Sequence, residues 1–362
     1  MAFPATRRPA TAVLPLLAVP VLTVLLLSAA PAADDAAKAP RPGDRVARRG
    51  DEIVVCGQLF HTTTPVVLWT DPGGYDAYRV ERRFVPPEEA SWAATKDAKT
   101  AVPKSPNRYG MRTKGLSAER AEKVRGGWEL DDLREVVDQF VVHFDACGTS
   151  KKCFEVLHDQ RGLSVQFMLD VDGTLYQTLD LKEAAWHATV ANNRSIGIEI
   201  ANVGAYNVKG PSDKTTANGK TGGDPLARWY AKGADGKTRL TIPGGLENSG
   251  VRNKALDLRP DRGEPVVGEI QGQTLRQYDL TPQQYEALTK LTATLCTVFP
   301  KIKCDYPHAD DKTLVTRKLP DDRLKAYQGV LGHYHVQTNK VDPGPAFQWD
   351  RVIDGARALM AH

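Results

Sequence analysis

Two imidazoles and a carboxylate stand out for what they could do together. His333 and Asp342 lie in the segment 332–350, GHYHVQTNKVDPGPAFQWD, and His143 lies in the apolar run FVVHF at 140–144. Singly, each has an ordinary use: a hydrogen-bonded core histidine, a loop histidine beside glycine, an aspartate opening a turn before Pro-Gly. Together, two neutral imidazoles and one carboxylate suffice to hold a catalytic zinc, with water completing the shell. A structural zinc would recruit a fourth protein ligand, often a thiolate, so three ligands leave a position open for chemistry. Glu199, on an alternating strand opposite three isoleucines, is then a carboxylate in a partly apolar cleft, placed as general base toward water at the metal. Lys340, two residues before Asp342, points to the same side of an extended loop and could stabilise an oxyanion. Taken alone, Glu199 would be an edge glutamate and Lys340 an exposed lysine.

The elements that must position these groups are legible around them. FVVHF is a continuous apolar run, as in a strand buried on both faces. SVQFMLDVDGTLYQTL predicts two strands around the turn pair Asp172-Gly173. SIGIEIANVG alternates, with Ile196, Ile198 and Ile200 on one side and Gly197 and Glu199 on the other. LTPQQYEALTKLTATLCTVFP predicts a helix with Thr281 as N-cap, Pro282 in its first turn and Gln284 closing a capping box. Upstream, EIVVCGQLFHTTTPVVLWTDPGGYDAY holds two apolar runs around a polar turn, which suggests a hairpin. Residues 86–126 are polar with scattered prolines and read as a long surface connection. Residues 207–277 are rich in Gly, Lys and Asp, with a possible hairpin at RWYAKGADGKTRLTI, and read as an insertion between a core strand and a core helix.

The motifs FVVHFDA, AAWHATVANNRSIGIEI and GHYHVQTNKVDPGPAFQWD closely resemble the zinc-dependent N-acetylmuramoyl-L-alanine amidases of type 2, the superfamily that includes the phage lysozyme-like amidases and peptidoglycan recognition proteins. The resemblance covers roughly residues 135–206 and 280–355. It implies an α/β fold with a central mixed sheet flanked by helices, one Zn2+ per chain, and a peptidoglycan or muropeptide substrate cut between N-acetylmuramic acid and L-alanine. His143, His333 and Asp342 fall on the zinc ligands, Glu199 on the catalytic acid and Lys340 on the lysine that supports the transition state. His187 falls on a pocket residue that contacts substrate rather than metal. Trp186 and Asn193, in the same motif, are expected to help bind substrate. Where many relatives have Tyr or His before the Asp-Gly turn, this chain has Val165, Gln166 and Phe167, so the base role rests on Glu199. His335, two residues past His333, is a competing ligand or a loop residue. A non-hydrolytic peptidoglycan-binding protein of the same fold and a zinc peptidase acting on the stem peptide are the alternatives.

The totals agree with a globular exported chain. Of 362 residues, 41% are hydrophobic and 25% charged, normal for a packed core. Residues 1–32 read as a signal peptide: Arg7 and Arg8, an apolar stretch broken by Pro15 and Pro20, then SAAPAA; an uncleaved anchor is the alternative. Cleavage takes the formal charge from +4 to about +2 by loss of Arg7 and Arg8, so no nucleic-acid surface is implied. No stable membrane anchor is expected after cleavage, and the product is expected to be a monomer in the periplasm or outside the cell. A flexible lead-in at 33–50 and an N-terminal β-rich extension at 51–130 precede the amidase domain at 131–356, which carries the insertion. In an oxidising compartment Cys147–Cys153 and Cys296–Cys304 are natural short disulfides, leaving Cys56. A thiolate metal site is the alternative, but the intervening lengths do not fit a two-to-four-residue knuckle. The resemblance also places a short disulfide at Cys147 and Cys153.

Overall fold

The computed structural model describes residues 46–96, 106–208 and 224–361, with Met1, Pro42 and Gly43. The expected leader at 1–32 therefore lies, Met1 apart, outside the described residues. Arg48–His362 form one compact unit.

Its centre is a six-stranded mixed sheet. In chain order the strands are β1 (Val66–Leu68), β2 (Gln139–Phe144), β3 (Phe167–Leu169), β4 (Leu175–Gln177), β5 (Ser195–Ile200) and β6 (Gly329–Gly332). Across the sheet they run β6-β2-β5-β3-β4-β1. Every neighbouring pair is parallel except the β3/β4 hairpin. That hairpin turns at Gly173, whose φ of +85° suits glycine and whose missing Cβ leaves room for the carbonyl of Gln283.

The alternation in β5 sorts the two faces. Ile196, Ile198 and Ile200 join Phe140, Val142, Phe167 and Leu169 in a core covered by helices α1 (Pro282–Val298) and α2 (Trp349–Met360). α1 starts as its sequence requires: Thr281 accepts from Gln284 N, and the Gln284 side chain reaches back to Thr281 N. Such a cap contributes about 1 kcal/mol. On the other face, Met168 and Tyr176 pack against Cys153, Phe154 and Leu157 of the short helical segment that follows β2. That face also carries His143 and Glu199, which the parallel register sets opposite each other.

The upstream region differs from its reading. The hairpin lies within the first apolar run, Glu52–Val55 against Gln58–His61. The second run is β1, a parallel edge strand beside β4. The stretch read as a surface connection also enters the core. Tyr109–Met111 pairs with Glu183–Ala185, and Arg108 and Arg112 are wholly buried. The insertion holds the expected hairpin, Tyr230–Lys232 against Thr238–Leu240, and ends in a three-stranded antiparallel sheet with Tyr206–Asn207 at its edge.

Candidate metal centre

β2 delivers His143 from the core of the sheet. Next to it, β6 ends at Gly332, opposite Val142, so the following residue, His333, emerges beside His143. His333 opens a single helical turn, His333–Val336, where an extended loop was expected. The chain then returns through Asp342, whose carbonyl accepts from Tyr334 N at 3.1 Å.

The result is a near-equilateral triangle of potential ligand atoms. His143 Nδ1, His333 Nδ1 and Asp342 Oδ2 lie 2.9 Å from one another. All three residues are buried. Together they form a group able to hold a metal ion.

Proton placement supports that use. His333 Nε2 lies 2.7 Å from Gln337 Oε1, an acceptor, so His333 donates there and its Nδ1 carries a lone pair. His143 Nε2 lies 3.0 Å from His187 Nδ1, and His187 Nε2 lies 3.3 Å from Ser195 Oγ. With protons running from His143 to His187 to Ser195, His143 Nδ1 also presents a lone pair. Burial, then its neighbour His333, holds the His143 imidazolium down to about 4, so His143 is neutral at pH 7. The Asp342 carboxylate meets both lone pairs at its Oδ2. A buried anion facing two neutral lone pairs calls for a cation. The donor set fits zinc, whose ligands are commonly fixed through their second ring nitrogen in this way.

Glu199 borders the triangle. Its Oε2 is buried without a hydrogen-bond partner. Burial, then the charges of Asp342 and Asp145, push its carboxyl well above the usual range, while Lys340 opposes the shift. The Lys340 charge likewise disfavours the His143 imidazolium.

The other expected residues divide. His187 is drawn against His143, where a contact with substrate had been expected, and it fills space that only a glycine leaves free: a Cβ at Gly197 would meet its ring at 2.6 Å. Trp186 is half-buried next to it. Asn193 is not brought to the triangle: it lies before the start of β5, and its side-chain amide pairs with Lys114 N and O. His335 is no competing ligand, because its Nδ1 accepts from Gly332 N and its Nε2 donates to the Val315 carbonyl.

The two expected disulfides are not formed: all five cysteines are free thiols. The partners nonetheless act on each other, Cys147 raising the Cys153 thiol and Cys304 raising the Cys296 thiol. The fold supplies their proximity; the bond itself requires an oxidant.

Arg112 was missed from sequence. Its guanidinium donates to the carbonyls of Leu181, Asn192, Asn193 and Ser195, pinning the 187–195 loop from beneath. Nothing in an isolated arginine of a polar stretch signals this.

Residues 133–232 match the family model described as N-acetylmuramoyl-L-alanine amidase, in agreement with the resemblance carried by the motifs. No curated protein matches the chain. Among solved structures, it is similar to a selenomethionine derivative of AmpD at 15% identity, covering 71% of this chain and 93% of that one with a TM-score of 0.31. It is similar to the endolysin amidase LysCS from Clostridium intestinale URNW at 16% identity, covering 62% and 86% with a TM-score of 0.30. It is also similar to AmiD from E. coli, solved with anhydro-N-acetylmuramic acid-L-Ala-D-gamma-Glu-L-Lys, at 15% identity, covering 60% and 57% with a TM-score of 0.31.

Proposed function

We infer that the chain is an N-acetylmuramoyl-L-alanine amidase, a zinc-dependent peptidoglycan hydrolase that cuts between N-acetylmuramic acid and L-alanine. The observation that carries the chemistry is the buried triangle of His143 Nδ1, His333 Nδ1 and Asp342 Oδ2. The family match over residues 133–232 supports the bond cleaved.

His143, His333 and Asp342 would hold zinc, which when bound supplies Lewis acidity, lowering the pKa of water and polarising a carbonyl. Glu199 Oε2, which has no hydrogen-bond partner, is the atom free to receive a proton. Its raised affinity suits a group that takes a proton from water and later gives it to the leaving amine. Lys340 offers its ammonium to the developing oxyanion. His187 keeps His143 oriented through their 3.0 Å contact, and Trp186, half-buried beside it, would help position substrate.

The substrate is a muramoyl peptide of the kind AmiD was solved with. Its second residue, a γ-linked glutamate, keeps a free α-carboxylate. Export fits such a substrate and the leader-like segment at 1–32. Among the described residues no helix is long and apolar enough to cross a membrane. The test is hydrolysis of purified muropeptides with products identified by mass, as purified, after chelation and after zinc is restored. Free muramoyl sugar with an intact stem peptide, lost on chelation and regained with zinc, is the expected result. Cuts within the stem peptide, or cleavage indifferent to chelation, would sink the reading.

A further inference from the structure

The insertion makes a cavity beside the loop that follows β2, the strand of His143. Past His143, the chain leaves β2 through Asp145, whose Oδ1 accepts from Cys147 N, Gly148 N and Asn202 N. Gly148 has a φ of +78°, and a Cβ there would meet the Trp229 ring at 2.5 Å. The insertion thus lies flush on this loop. Asp172 Oδ2 ties it further by accepting from Arg252 N and Asn253 N. Between the two surfaces is a cavity of about 320 Å³, bordered by Cys147, Lys151, Lys152, Trp229, Pro243 and Asn248. Its volume is at the lower end of small-ligand sites. It borders the loop that carries the chain away from His143, through Cys147 and Thr149, and that loop is tied through Asp145 to Asn202 just past the end of β5.

The cavity has positive character. Lys152 is half-exposed and pairs with Glu155 at 3.0 Å, the one acid at the rim. Lys151 donates to the Asn248 carbonyl at 3.0 Å. Among the described residues Lys151 has no carboxylate partner within ion-pair distance. Two cations against one acid, beside an indole, suit a short peptide that carries a carboxylate.

We propose that this cavity is a subsite for the stem peptide, in which Lys151 and Lys152 receive the free α-carboxylate of the γ-linked glutamate while Trp229 covers the peptide backbone. The insertion then sets which peptides the site accepts. This rests on the amidase reading, which supplies the peptide.

The experiment uses the full zinc-loaded chain and two soluble substrates, N-acetylmuramoyl-L-Ala-γ-D-Glu-L-Lys and the same compound with its glutamate carboxylate amidated. The wild type is expected to prefer the free acid by about tenfold in kcat/KM. The double variant Lys151→Gln, Lys152→Gln is expected to bring that ratio to about one. A wild type without preference, or a variant that keeps the wild-type ratio, overturns the subsite. Calorimetric binding of the free tripeptide L-Ala-γ-D-Glu-L-Lys reads the cavity independently of hydrolysis. Binding about tenfold weaker in the variant supports the subsite, and equal or absent binding overturns it. Failure of the wild type to cleave either substrate overturns the amidase reading instead.

Discussion

Glu199 is where binding and chemistry should separate. It borders the triangle without being one of its corners, so Glu199→Gln should keep zinc and lose the proton carrier. The expected fall in kcat is about 10²–10⁴-fold, with zinc content unchanged by metal analysis; loss of the metal together with the activity would instead make Glu199 a ligand. His187 should behave in the opposite way. Its ring orients His143 from 3.0 Å, and loss of such a partner weakens metal binding about 10–100-fold. His187→Ala should therefore weaken zinc in a competition with a coloured chelator. Gly197→Ala should do the same, because its Cβ would stand 2.6 Å from that ring. Wild-type zinc affinity in both variants would show that the contact orients nothing. The contrast explains what could be read beforehand. His143, His333 and Asp342 announce themselves by type, since few uses need two histidines and an aspartate near apolar strands. The face that His187 turns to His143 depends on a loop held from below by Arg112, and spacing carries no trace of that.

Elements with a strong local pattern were legible, and those defined by distant partners were not. β5 shows its alternation, the β3/β4 hairpin its Asp-Gly turn and α1 its capping box, each contained in a few consecutive residues. β1 is three residues long and exists because β4 lies alongside it. Its pattern could not distinguish a sheet edge from half a hairpin. The end of β3 carries a further consequence. Asp170 follows Leu169, and its Oδ2 is buried without a partner. Burial, then the charge of Asp172, pushes its carboxyl up from 3.8 to about 8. A folded pKa above the unfolded one means that the native state holds the proton more tightly. Its stabilising contribution is complete below about pH 4 and is lost as pH rises through about 8. Asp170→Asn keeps the shape and removes the titration. Urea unfolding at pH 5 and pH 9 should show the wild type losing on the order of a few kcal/mol more than the variant between the two. Equal losses would mean that Asp170 is already ionised at pH 5.

At the scale of the whole molecule, the metal should act as a clasp. Its expected ligands are separated by 190 and 199 positions along the chain, yet they meet within 2.9 Å. The central strand β2 is thereby joined to the segment between β6 and α2, so a bound ion opposes separation of the sheet from the C-terminal region that covers it. A ligand that binds only the folded state stabilises it by about 4 kcal/mol when present at about a thousand times its dissociation constant. For a unit of this size each kcal/mol moves the melting midpoint by about 2 °C. Chelation should therefore lower the midpoint of the zinc-loaded chain by about 8 °C, and added zinc should restore it. His187→Ala, if it weakens zinc by the 10–100-fold argued above, should narrow that gap by about 3–5 °C at the same zinc concentration, because each tenfold is about 1.4 kcal/mol. Glu199→Gln should leave the gap at its wild-type width. Calorimetric scans of the three proteins with and without chelator thus separate the residues that hold the ion from the residue that works beside it. A midpoint indifferent to chelation in the wild type would mean that the triangle closes on protons rather than on metal, and with it would go the zinc chemistry proposed for the site.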